Sequence, residues 1–381
     1  MGPINSHLAA CLAARAARYR ELKASGAPAA VETLSVEITR RCIARCVMCN
    51  IWQSGASQPE LSCGEWLELL VSPALAELKE LDVTGGEPFL RADLPELLLG
   101  IARLKAEQRL PLLQSIAITT NGFLTRQLLA VVGAVIAPLE RAGIALVFAC
   151  GLDAVGPVHD RIRGVSGGWE KLHASIEGLK KLRRQHPSLV LGIKTTVSRL
   201  NIDELEQICR YADDQGLFSI ISPYILTPNR YANLDLGDSL ALSAQQTERL
   251  KRFYASPRFR WSYYRRELLQ FLETGRMEKP CSAGFNYYFI RSNGELFACP
   301  IIAAPLGNVT EAPLPELMAT PAANRFRQGV GDFPECATCT EPGLERYALP
   351  FEGEHYLRLC RSMDPEEFLD LHRHLGLDKY F

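Results

Sequence analysis

Arg41-Cys42-Ile-Ala-Arg-Cys46-Val-Met-Cys49 puts three thiols within eight residues, directly after a strand-like run. Three thiolates on one loop can cap a single compact metal group. A four-iron cluster held by three cysteines leaves one iron open to an outside ligand. A closed structural zinc needs a fourth partner nearby, and no His lies between His7 and His159. Four more cysteines form a second group. Cys281 and Cys299 are separated by 17 residues, and Cys336 and Cys339 by two. Asn293-Gly294 signals a hairpin that would bring Cys281 and Cys299 together. Four thiolates in two pairs fit either a closed four-iron cluster or a tetrahedral zinc. Cys11, Cys63, Cys150, Cys209 and Cys360 are scattered.

Composition sets the class. Hydrophobic content of 47% and charged content of 22% suit a globular chain. A net charge of −1 gives no global field for nucleic acid or an anionic membrane. No apolar run approaches the roughly 20 residues that span a bilayer. Met1–Arg20 is Ala- and Arg-rich with helical periodicity and lacks an apolar signal core. With clustered cysteines and no signal segment, the expected compartment is the cytoplasm.

The elements that must position these thiols follow from periodicity. Strands are expected at Thr33–Thr39, Glu80–Gly85, Gln114–Thr120, Ile144–Cys150, Leu191–Val197 and Phe218–Tyr224. Amphipathic stretches between them argue for an α/β fold with a parallel sheet. Six units are too few for a closed eight-fold barrel, so a partial (β/α)6 TIM-like barrel is expected. We expect an N-terminal helical extension (1–30), the barrel (31–230), a helical linker (231–278), a small α+β metal-stapled domain (279–345) and a C-terminal helical segment (346–381). Polar candidates fall at the C-terminal strand ends, where such barrels build their sites. They are Thr84-Gly85-Gly86-Glu87-Pro88, Asn121-Gly122, Gly151-Leu-Asp153 and the segment His159-Asp160-Arg161-Ile-Arg163. Lys194-Thr195-Thr196 and Ser222-Pro223-Tyr224 could also meet a substrate.

The three-then-two spacing of Cys42, Cys46 and Cys49 resembles the signature of the radical S-adenosylmethionine (SAM) superfamily. Met48 stands where the family usually has an aromatic. The resemblance covers about Val31 to Thr227, with further similarity after Lys279. It implies a [4Fe-4S] cluster whose open iron binds SAM, and reductive cleavage to a 5′-deoxyadenosyl radical that abstracts a substrate hydrogen. Gly85, Gly86 and Glu87 look like the motif that contacts the SAM amino group. Asn121 and Asp153 would line the pocket, and Arg163 would help anchor the SAM carboxylate. Gly151 replaces the family's serine. The layout of Cys281, Cys299, Cys336 and Cys339 looks like the twitch domain, a shortened SPASM domain, and implies one auxiliary [4Fe-4S] cluster.

For the reaction, the resemblance implies dehydrogenation or epimerisation of a sugar or cyclitol alcohol. The alternative is a peptide maturase that crosslinks or epimerises a ribosomal peptide. The short segment ahead of Thr33 favours the carbohydrate reading, because such maturases usually carry a longer leader-binding module. An epimerase would need a thiol hydrogen donor, with Cys360 the first candidate, then Cys63 and Cys150. A flavodoxin- or ferredoxin-type reductant is implied.

Overall fold

A computed structural model describes residues 6–54, 59–257, 262–374 and 376–380. Six parallel strands form the core: β1 (Thr33–Thr39), β2 (Glu80–Gly85), β3 (Ser115–Thr120), β4 (Ala145–Gly151), β5 (Leu189–Val197) and β6 (Phe218–Pro223). Three more come from the C-terminal segment: β7 (Tyr287–Ile290), β8 (Glu295–Phe297) and β9 (Pro305–Asn308). The nine make one sheet, in the order β6-β5-β4-β3-β2-β1-β7-β8-β9. β7 joins β1 in parallel, with Ser35 beside Phe289, while β8 and β9 continue antiparallel. The cysteine-bearing segment therefore extends the core sheet and shares its inner face.

Strand residues alternate sides. Leu34, Val36 and Ile38 of β1, Leu81 and Val83 of β2, and Leu146, Phe148 and Cys150 of β4 pack in the hydrophobic core. The opposite face of β1 to β4 is mostly small or polar: Ser35, Asp82, Ala117, Ala149 and Gly151, with Val147 among them. Closed parallel barrels fill this interior with bulky branched side chains. Here Ser, Ala and Gly leave it hollow. Residues from every strand β1 to β7 line one cavity, so the sheet curls around it.

Among the described residues, the β6 edge has no further strand beside it. Tyr254 and Thr340 hydroxyls donate to its carbonyls at Ile221 and Pro223. Tyr254 comes from the linker helix Ala244–Ala255, and Thr340 directly follows Cys339. Helices expected around the sheet form at Leu94–Ala106, Thr125–Arg141, Gly168–Arg183 and Leu205–Gln215. Ser62 and Glu65 make the reciprocal capping bonds at the start of the Cys63–Leu70 helix.

The N-terminal helix runs Ser6–Ser25 and packs on the helices Pro342–Glu352 and Glu354–Ser362. Met1–Asn5 of the expected helix lie outside the described residues. Within the segment 346–381, expected to be helical, the chain forms the helices Glu354–Ser362 and Pro365–His374. The Pro342–Glu352 helix starts on a proline, which suits the first turn because its missing N–H would be unbonded there anyway. Arg327 is fully buried and ties the ends together. It donates to the Gly284 carbonyl at 3.2 Å, the Met318 carbonyl at 2.8 Å and the Tyr288 hydroxyl at 3.0 Å, and also to the Gly26 carbonyl.

Candidate active site

The Cys42–Cys49 loop leaves β1 over the cavity and is pinned by backbone bonds from several directions. Arg45 and Val47 amides donate to Arg163 and Ile162 carbonyls at 3.0 and 2.9 Å. The Asn233 amide side chain donates to the Met48 carbonyl at 2.9 Å. Gly86 and Glu87 amides donate to Thr39 and Arg41 carbonyls at 2.7 and 2.8 Å. All three thiols line the cavity. Amides two residues on, at Ala44 and Ile51, donate to the Cys42 and Cys49 sulfurs. Burial pushes the Cys42 thiol up to about 12 and Cys49 to about 11. Such thiols stay protonated until a metal displaces the proton. The donor set therefore fits a cationic group held by three sulfurs.

Gly86 serves this loop directly. A Cβ there would lie 2.2 Å from the Arg41 carbonyl oxygen, a backbone atom that cannot swing aside. Gly86→Ala is expected to lift β2 from the loop and cost about 1–3 kcal/mol. Urea unfolding would measure it, together with loss of iron on reconstitution.

Glu87 is fully buried and does not line the cavity. Its carboxylate accepts from the Thr120 hydroxyl at 2.8 Å, the Asn121 amide at 2.8 Å and the Phe89 amide at 3.2 Å. Burial lifts its carboxyl to about 7 against these donors. Glu87 thus holds the β3 turn that presents Asn121. The Asn121 side-chain nitrogen lies 4.0 Å from the Cys42 sulfur.

Asp153 and Arg163 form a buried pair, Oδ2 to Nε at 2.6 Å. Asp153 also accepts from the Thr196 amide at 2.9 Å. Arg163 reaches toward the Cys46 sulfur, Nη1 to Sγ at 3.9 Å. Gly151 makes room for this guanidinium: a Cβ there would meet Nη2 at 2.5 Å. Asp160 braces the loop, accepting from Gly167 and Trp169 amides at 2.7 Å each.

His159 is fully buried, and its Nδ1 accepts from the Asp153 amide at 3.2 Å. Burial, and then the Arg163 charge, lower it to about 3. The unfolded imidazole binds a proton near its ordinary 6.5 and the folded one does not. Stability from this residue is therefore complete above pH 6.5 and is lost as pH falls from 6.5 toward 3. Urea melts between pH 7 and pH 5 should show the decline, and His159→Asn should flatten it.

The C-terminal cysteines gather beside the same cavity. Each of Cys281, Cys299 and Cys336 lies close enough to another of the four to disfavour its ionisation. The Cys299 sulfur accepts from the Ile301 amide at 3.4 Å, and Cys281 from Ala283, the same two-residue step as in the first loop. Among the described residues, no three His, Cys, Asp or Glu groups close on a single ion-sized point. Pro300 and Ile301, next to Cys299, line the cavity, as do Glu341 and Pro342 just after Cys339.

Cys360 does not reach the site. It is 1% exposed and packed in the core on the Glu354–Ser362 helix. Cys63 and Cys150 are also core residues outside the cavity wall. Among the described residues, the wall carries no cysteine beyond Cys42, Cys46 and Cys49. Cys360, expected as a hydrogen donor, thus stands on a helix face turned into the core and away from the cavity wall.

Sequence reasoning missed much of the wall. Arg230 donates to Thr84 Oγ1 at 2.9 Å and pairs with buried Glu37 at 3.3 Å. It sits 4.7 Å above the Phe289 ring. Asp82 accepts from Ser35 at 2.9 Å. Tyr287 and Tyr347 stack at 4.7 Å, and Arg346 pairs with Glu80. Lys194, which the strand pattern did suggest, faces Glu341 at 3.8 Å. Asp82 was legible as a polar residue at an inward position of β2. Arg230 and Arg346 sit in irregular or helical segments with no period to mark them.

Residues 36–212 match the radical SAM superfamily, and residues 281–340 match the SPASM iron–sulfur cluster-binding domain. The chain is a radical SAM enzyme with a C-terminal SPASM-type domain. That assignment brings SAM, a [4Fe-4S] cluster and auxiliary iron–sulfur binding with it. The pre-heme d1 synthase of Dinoroseobacter shibae is 27% identical over 47% of this chain and 40% of its own length. The chain thus spans under half of that relative. The PqqA peptide cyclase of Streptomyces rochei is 25% identical over 92% of each chain. Streptococcus suis SuiB, solved with its precursor peptide SuiA, shares the fold at a TM-score of 0.56 and 16% identity. That likeness covers 92% of this chain and 77% of SuiB. Among the described residues, no helix of this radical SAM enzyme is long and apolar enough to cross a membrane.

Proposed function

We propose that this radical SAM enzyme carries out an oxidative modification of a peptide, such as a crosslink, inside the curled sheet. In this reading Cys42, Cys46 and Cys49 hold the first cluster, and Cys281, Cys299, Cys336 and Cys339 the auxiliary one. When bound, the first cluster and SAM supply a 5′-deoxyadenosyl radical that removes one hydrogen atom from the substrate. Gly85, Gly86 and Asn121 form the wall beside the SAM position, with Glu87 fixing the Asn121 turn from beneath. Asp153 orients Arg163, whose guanidinium offers a cation for the SAM carboxylate. Lys194, Asp82, Arg230 and the stacked Tyr287 and Tyr347 bind the peptide. A low-potential flavodoxin- or ferredoxin-type protein is the electron source.

The observation that carries this reading is the cavity wall without a further thiol. An epimerase must return a hydrogen atom, and among the described residues the wall offers no cysteine donor beyond the cluster ligands. An oxidative outcome needs none. The peptide, in preference to a sugar or cyclitol alcohol, is supported by full-length similarity to a peptide cyclase and by the fold shared with SuiB.

The test is anaerobic reaction of the reconstituted enzyme with SAM, dithionite and short peptides encoded beside its gene. A peptide lighter by two hydrogen atoms supports the proposal. Solvent deuterium on a product of unchanged redox state would point to epimerisation and overturn it. So would turnover of a sugar or cyclitol alcohol with no peptide consumed.

A further inference from the structure

Glu345 is 1% exposed, and both its carboxylate oxygens are buried without a hydrogen-bond partner among the described residues. The cation nearest it in effect is Lys279. Lys279 stands two residues before Cys281 and acts electrostatically on both Cys281 and Cys339. Its ammonium donates to the Glu341 carbonyl. The Glu341 carboxylate accepts from the Gly343 amide at 3.1 Å and faces Lys194 on the cavity wall at 3.8 Å. Lys279 therefore stands two residues before Cys281 and against the backbone two residues after Cys339.

We propose that Lys279 is a positioning charge that raises the reduction potential of the auxiliary site and so makes it an electron acceptor on the cavity side. The physics is simple. A cluster held by four thiolates becomes more negative on reduction. A fixed cation in a poorly solvated wall favours the more negative state, and charge and solvent exposure are known levers on such potentials. Interaction between charges is strong where water is excluded. Glu345 does not cancel the effect near neutral pH, because burial pushes its carboxyl up to about 8. Glu335, which acts on Cys336, and the Glu341 carboxylate, which acts on Lys279, work the other way. The purpose assigned to this charge rests on the oxidative reading above, but its measurement does not.

The test is an EPR-monitored redox titration of the fully reconstituted enzyme without substrate, comparing wild type with Lys279→Gln, Lys279→Met and Lys279→Arg. The neutral variants should move the auxiliary midpoint to a more negative potential. Lys279→Arg should stay near wild type, and the first cluster's signal should not move. An unchanged auxiliary midpoint in a neutral variant that keeps its iron would overturn the proposal. So would an equal shift in Lys279→Arg. If both neutral variants lose the auxiliary iron while Lys279→Arg keeps it, Lys279 is a folding residue and the proposal fails. Because no substrate is used, failure of the peptide reaction leaves this result standing, and an unchanged midpoint leaves the peptide reading standing.

Discussion

Cys46→Ala is expected to abolish SAM cleavage while leaving the fold in place. Iron on anaerobic reconstitution should fall from about eight to about four per chain, as one of two four-iron clusters is lost. Production of 5′-deoxyadenosine from SAM and dithionite should drop to the level without enzyme. The fold should persist because the loop is held by its backbone and not by the sulfur. Its Arg45 and Val47 amides bond to the Pro157–Arg163 helix, and its first turn bonds to Gly86 and Glu87. Circular dichroism and the thermal midpoint of the apoprotein should therefore barely change. Cys360→Ala is the matching control. Its thiol lies in the core away from the cavity, so 5′-deoxyadenosine should still form. Substantial cleavage by Cys46→Ala would remove the assignment of this loop.

Arg163→Leu should have the largest effect on stability. Asp153 is fully buried and its partner stands 2.6 Å away. Removing the guanidinium leaves a carboxylate in the interior with, among the described residues, the Thr196 amide as its remaining donor. Breaking a buried pair this way costs about 3–5 kcal/mol. Replacing both partners costs less, because no uncompensated charge remains. Asp153→Asn combined with Arg163→Leu should therefore recover a large part of the loss in urea unfolding. It should not recover SAM binding, because the cation beside Cys46 is still missing. Equal destabilisation of the single and double variants would show that shape, and not charge, governs this site.

The sequence alone determined the chemistry of the first loop. Three cysteines at that spacing, directly after β1, can hold a cluster with an open iron whatever the rest of the chain does. It also determined the six core strands and the main helices between them, because burial on one face writes a period into the residues. β1 and β2 fall on the expected residues, and β7 and β8 form the hairpin that Asn293-Gly294 signalled. Tertiary structure alone decided three things. The first is the union of β7 with β1, because pairing between strands some 250 residues apart leaves no local pattern. The second is the division of labour among motif residues. Glu87 turns inward to its own chain and Gly86 yields to the Arg41 backbone, which only the packed loop reveals. The third is which cysteines meet the cavity. A helix face cannot be assigned to core or site until its neighbours are fixed, and Cys360 went to the core.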